Sequence, residues 1–157
     1  TDSNIFFAKF HSEDWYVDFT FSIINFTSSY LLFLRLGLLT VVIGIILGAF
    51  GAHALKDLFS DYEKDIWNKG IFYQITNALG LLLLIILAKI NILKSPSIAF
   101  YLIMIGILFF SGSLYTIALT NVLLSPDHLI KTILIPITPL GGTMLIVGWL
   151  VAIFKLK

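Results

Sequence analysis

Residues Leu36–Ala54 read LGLLTVVIGIILGAFGAHA, a run of 19 residues with no Asp, Glu, Lys or Arg. About 20 apolar residues in a helix cross the ~30 Å hydrocarbon core of a bilayer, so this run reads as a membrane span. Three more runs of that kind follow, at Ile71–Ala88, Ser97–Leu119 and about Ile133–Phe154. Every charged residue after Arg35 falls between these runs, at their ends or in the tail. Bare backbone polar groups are costly in lipid, so only helices fit such segments. A transmembrane barrel would instead show short alternating stretches, which are absent.

The whole composition agrees. The chain has 157 residues, is 59% hydrophobic and 12% charged, and has a mean hydropathy of +1.00. A soluble domain is about a quarter charged, and one of this length leaves roughly a third of its surface wet. An ordinary soluble enzyme and a disordered tail are thereby excluded. With no cysteine there is no disulfide scaffold and no thiol chemistry. A net charge of +1 and a pI near 7.9 give no footprint for nucleic acid. No repeat, low-complexity tract or linker divides the chain. The reading is an all-α integral membrane protein: an antiparallel four-transmembrane-helix bundle over 36–157, preceded by an extension over 1–35.

The connections are short. Lys89–Pro96 (KINILKSP) reads as a polar turn, with Pro96 opening the next helix. Leu55–Gly70 is longer, and its Leu55, Leu58, Phe59, Tyr62, Ile66 and Trp67 recur at helical spacing. A short amphipathic helix at the interface is expected there. Asn121–Thr132 joins spans three and four. The extension opens on Thr1, as expected of a trimmed or processed chain, and lacks the basic start of a signal peptide. Polar residues interrupt Phe19–Leu34, so an interfacial helix or an extension of span one is expected rather than a fifth span. Asn25-Phe26-Thr27 matches a glycosylation sequon, but inside an apolar stretch. Arg35, Lys89, Lys94, Lys155 and Lys157 lie on one side, and Lys56, Lys64, Lys69 and Lys131 on the other. Five against four favours both termini in the cytoplasm.

Gly44, Gly48 and Gly51 set small residues along span one, the pattern that lets helix backbones approach closely. Gly112, Gly141 and Gly142 are expected to pack in the same way. His53 ends span one, Gln74 and Asn77 open span two three residues apart, Ser111 and Ser113 lie late in span three, and Thr138 opens span four. With antiparallel spans, these six fall in one leaflet and form a candidate polar cluster beneath the Leu55–Gly70 loop. Buried amides and hydroxyls in lipid need partners, so mutual bonding that fixes helix register weighs more than a substrate site. Pro136, Pro139, Gly141 and Gly142 make an unbroken fourth helix unexpected.

Several chemistries find no carrier. No Asp or Glu lies inside a span, which disfavours a carboxylate proton or cation relay. Three scattered histidines make no metal site, and bis-histidine haem would need His53 and His128 to meet. Hydrolase chemistry at Ser111 or Ser113 would have only His53 as base, with no G-x-S-x-G elbow. No cofactor is expected.

Four motifs nevertheless occur together in order: GAFGAHAL (Gly48–Leu55), W-x5-YQ-x2-NAL (Trp67–Leu79), FFSGSLY (Phe109–Tyr115) and ITPLGG-x5-GW (Ile137–Trp149). In these the chain resembles the domain-of-unknown-function 423 family of small bacterial membrane proteins, whose animal relative is transmembrane protein 256. The resemblance covers Leu34–Phe154 and implies a four-helix membrane protein without an established activity. It also implies a bacterial plasma membrane, with a mitochondrial membrane as the alternative. Asn77 stands where the family usually has histidine, so a paired role with His53 is not implied here. The stretch containing His128 is longer than the family's, and the residues before Leu34 fall outside it. The expected role is a non-enzymatic, helix-packing accessory or assembly subunit whose partners are the lipid bilayer and other membrane subunits or itself. The alternative is a small transporter or lipid-binding module using the polar cluster.

Overall fold

The computed structural model describes the backbone of residues 13–124 and 129–157, and the side chains of 29–124, 129–130 and 132–157. The Asn25 sequon side chains and His128 lie outside these sets. The described residues form four helices: α1 (Glu13–His53), α2 (Asp61–Lys89), α3 (Ser97–Leu123) and α4 (Leu129–Phe154). Each contains, among the residues with described side chains, a segment long and apolar enough to cross a membrane. The protein is thus an all-α, four-span membrane protein.

The helix ends follow from local sequence. Ser60 caps α2, with its side chain accepting from Tyr62 N (3.2 Å) and its backbone N–H donating to Glu63 Oε2 (3.2 Å). This reciprocal box starts the helix at Asp61. The amphipathic segment expected as a separate interfacial helix is therefore mostly the first turns of α2. Its Ile66 and Trp67 are buried with Leu55, Phe59, Tyr115 and Ala118. α2 ends at Lys89, and two residues on Asn91 turns the chain with a φ of 68°, a left-handed conformation asparagine tolerates. Leu93 then turns inward and is buried. Before Leu36 the chain is helical from Glu13 without a break, so it extends the first span rather than forming a separate element.

α4 is also continuous, contrary to the break expected from its prolines. Both Pro136 and Pro139 lie within its first three turns. Thr138 and Thr143 direct their hydroxyls at the carbonyls of Leu134 (3.4 Å) and Pro139 (2.9 Å). The carbonyls that the two prolines leave without an i+4 donor are those of Thr132 and Ile135, and the close packing of α4 on α3 supports the helix there.

Helices adjacent in sequence pack along their lengths: α1 on α2, α2 on α3, α3 on α4. α1 also reaches α3, where Phe33 stacks on Phe100 at 4.3 Å, and α4 reaches α2 through Trp149. α2 and α3 are accordingly the central pair, flanked by α1 and α4. Burial agrees: 39% of the α2 and α3 span windows is buried, against 17% for α1 and 22% for α4.

Glycine sets these distances. Gly37, Gly44 and Gly51 recur every seven residues, the period of a seam between supercoiled helices. A methyl at Gly37 would come within 2.8 Å of Leu82, at Gly44 within 2.7 Å of Ile75, and at Gly51 against the Trp67 indole. Between α3 and α4, a methyl at Gly106 would meet Leu145 N at 2.9 Å, and one at Gly141 would meet the backbone of Phe109 and Phe110. Gly48 and Gly142 make only ordinary contacts, with Ile71 and Phe110. Among the described residues nothing lies within 4 Å of where a Cβ at Gly112 would stand, so it is not a packing position among them.

Candidate functional site: a polar layer and its groove

The apolar core is in two parts. One contains Phe33, Leu81, Ile85, Phe100 and Ile103; the other contains Leu55, Phe59, Trp67, Tyr115 and Ala118. Between them on the central helices lie Gln74, Asn77, Ser111 and Ser113, all buried. Gln74 is the fourteenth of 29 residues in α2, so this layer crosses the middle of the bundle rather than its start.

Gln74 links three helices. Its Nε2 donates to the Thr40 carbonyl of α1 (2.8 Å), and its Oε1 accepts from the Tyr115 hydroxyl of α3 (2.9 Å). Asn77 serves the other side. Its Oδ1 accepts from Trp149 Nε1 of α4 (2.8 Å), while its Nδ2 donates to Tyr73 O (2.8 Å). Although they are one turn apart, the two amides therefore serve opposite flanking helices. Ser113 and Thr138 share a fourth interhelical bond, Oγ to Oγ1 at 2.7 Å, joining α3 to α4. Ser111 Oγ is buried and has no hydrogen-bond partner among the described residues.

His53 stands apart. It is the last residue of α1, exposed, and 13 residues beyond Thr40, or about 20 Å along the axis. The six candidate residues thus occupy three places: paired amides and hydroxyls in the layer, an unpartnered serine beside them, and a histidine at the bundle end. Sequence reasoning did not include Thr40, Tyr115 or Trp149 in the cluster. The signal for the last two was present, since each lies in a quoted motif and each has a polar tip that seeks a partner when buried. Thr40 takes part through its backbone, which no side-chain pattern reveals.

Nearer the loop end, Trp67 Nε1 donates to Leu47 O (3.0 Å) and Asn121 Nδ2 donates to Glu63 Oε1 (3.0 Å). These bonds hold the start of α2 to α1 and α3. No group of three His, Cys, Asp or Glu able to hold a metal occurs among the described residues.

Beside the layer, α1 and α3 diverge around a groove of about 380 Å³. Leu39, Ile43 and Leu108 form its apolar walls, Gln74 and Tyr115 its polar floor, and Gly112 its edge. Leu39 and Leu108 are exposed, so the groove opens sideways towards the bilayer.

A family model described as "Protein of unknown function (DUF423)" matches residues 47–142. A UPF0382 membrane protein of Staphylococcus epidermidis is 42% identical over 124 residues, covering 77% of this chain and 91% of that protein. The UPF0382 membrane protein YwdK of Bacillus subtilis is 36% identical over 122 residues, covering 77% and 92%. One from Staphylococcus haemolyticus is 38% identical over 127 residues, covering 79% and 93%. No solved structure gives a significant match.

Proposed function

For this chain, which belongs to the DUF423 family of membrane proteins of unknown activity, we propose a non-enzymatic role as an accessory or assembly subunit of a larger membrane complex. The observation that carries this reading is Gly112. Among the described residues, Gly112 alone of the 11 glycines has no neighbour where a side chain would stand, and it borders the lateral groove. A small residue at a groove edge admits the close approach of another helix. Gln74, Asn77, Ser113 and Thr138 are already bonded to one another or to neighbouring helices, which leaves shape as the main thing the bundle offers. The docked helix belongs to another membrane subunit or to a second copy.

Tagged full-length chain extracted gently from native membranes tests this. Wild type is expected to retain a discrete membrane partner, and Gly112→Leu to lose it while keeping its helical content. Migration of wild type only as a free monomer counts against the proposal.

A second reading, a lipid-binding or solute-passing module, is supported by Gln74 and Tyr115 in the groove floor. Unchanged solute flux in liposomes after alanine at Gln74, Asn77 and Thr138 counts against it. The preferred setting is a bacterial plasma membrane with both termini cytoplasmic, following the lysine and arginine count. Terminal reporter fusions active only outside the cytoplasm would reverse that orientation.

A further inference from the structure

The two ends of the bundle differ in a way that a count of cations alone does not reveal. At one end stand Arg35, Lys89, Lys94, Lys155 and Lys157. Among residues with described side chains, every carboxylate (Asp57, Asp61, Glu63 and Asp65) lies at the other end, interleaved with Lys56, Lys64 and Lys69. The nearest carboxylate in the N-terminal extension of α1 is Asp18. It is 12 residues before Tyr30, about 18 Å further along the helix axis.

The fold gathers these cations. The α2–α3 turn and the C-terminal tail are clipped together by Lys94 N donating to Lys155 O (3.0 Å) and Lys157 N donating to Ile92 O (3.0 Å). Leu93 and Leu156 form a bridge between them, and the Lys157 ammonium bonds the Asn91 side chain. Beside this clip, α1 and α2 part around an apolar groove of about 200 Å³. Leu31, Leu34, Ile85 and Ile86 line it, with Tyr30 and Lys89 at its mouth. The Lys89 ammonium lies 6.0 Å from the Tyr30 ring centroid. Arg35 follows Leu31 by four residues, one turn further along the same face of α1. It is exposed within the span. An arginine so placed reaches for the interface and the phosphates there.

We propose that this end binds an anionic phospholipid. One acyl chain lies in the Leu31–Ile86 groove, and Arg35 and Lys89 hold the headgroup phosphate beside the clipped lysines. Charge complementarity selects this occupant: Lys89 lines the groove, the other four cations stand at the same end of the bundle, and the carboxylates with described side chains stand at the opposite end. A zwitterionic lipid fits the same groove but gains less from the cations. This site is separate from the groove at Gly112 and does not rest on the proposed role there.

Native mass spectrometry of the full chain in detergent, titrated with phosphatidylglycerol or phosphatidylcholine, tests the proposal. Wild type is expected to retain one phosphatidylglycerol in preference to phosphatidylcholine. Each cation removed from the site in Arg35→Gln/Lys89→Gln is expected to lower that preference roughly five-fold. The control pair Lys56→Gln/Lys64→Gln, at the opposite end, is expected to keep it. Ile86→Trp fills the groove without altering charge and is expected to lower retention of both lipids, which serves if the double variant does not fold. Equal retention of the two lipids by wild type, loss of preference in the control pair, or unchanged retention in Ile86→Trp would each overturn the proposal.

Discussion

Gln74 uses both ends of its amide inside the bundle, and the two bonds have unequal consequences when removed. Gln74→Ala deletes the links to Thr40 and Tyr115 and leaves the Tyr115 hydroxyl buried without its acceptor. Interhelical hydrogen bonds in membranes average about 0.6 kcal/mol and reach about 1.7, so a loss of about 1–2 kcal/mol is expected. Tyr115→Phe removes one bond and keeps the ring against Trp67 and Gly70. It should cost about 0.6 kcal/mol. Reversible unfolding in mixed micelles reads both, and a double-mutant cycle should return a coupling of the same order. The glycines give a contrast of opposite sign. Gly141→Ala drives a methyl into the α3 backbone at Phe109 and Phe110, an overpacking that costs about 1–3 kcal/mol. Gly112→Ala meets nothing and should gain up to about 1 kcal/mol of helix propensity. The same unfolding assay distinguishes them. Sequence pattern identified Gly112 and Gly141 alike as small residues. Whether a neighbour occupies the space beside each is a tertiary fact.

At the scale of elements, the spans were legible because charge is excluded from them, as were the ends near His53, Lys89, Ser97 and Phe154; the start of α2 was not. α2 starts ten residues before the expected Ile71, because the charged Asp61–Asp65 segment reads as part of a separate interfacial helix, whereas the Ser60 capping box makes it the start of the spanning helix itself. Breaking that cap with Ser60→Ala should cost about 1 kcal/mol. Faster amide exchange confined to the first turn of α2 would show it. The prolines of α4 misled in the other direction. In water the solvent takes up the carbonyl that proline frees and competes for the remaining helix bonds, whereas in lipid nothing competes, and the helix bonds that remain and the packing of α4 on α3 keep it continuous. The α1 seam was half visible: the Gly44, Gly48 and Gly51 pattern was evident, but the spacing that packs is Gly37, Gly44 and Gly51, a seven-residue period. Supercoiling against α2 selects that period, and only the partner helix reveals it.

For the whole molecule, the expected four-helix bundle holds, with a specific arrangement that hydropathy does not carry. α2 and α3 are central, α1 and α4 flank them, and a layer of amides and hydroxyls divides the apolar core midway. The polar residues of that layer stood out in the sequence because polar groups are rare in spans. Their division between the two flanking helices did not, since Gln74 and Asn77 are neighbours on one helix turn. This arrangement leaves α1 and α3 open around the groove at Gly112, and the proposed role depends on a second polypeptide entering there. A photoreactive residue replacing Leu108, an exposed wall of that groove, tests this most directly when irradiated in native membranes. Adducts to one discrete polypeptide, absent when the same residue replaces exposed Ile153 on α4, are the predicted result. Adducts to lipid alone from Leu108, or the same protein pattern from both positions, would contradict it.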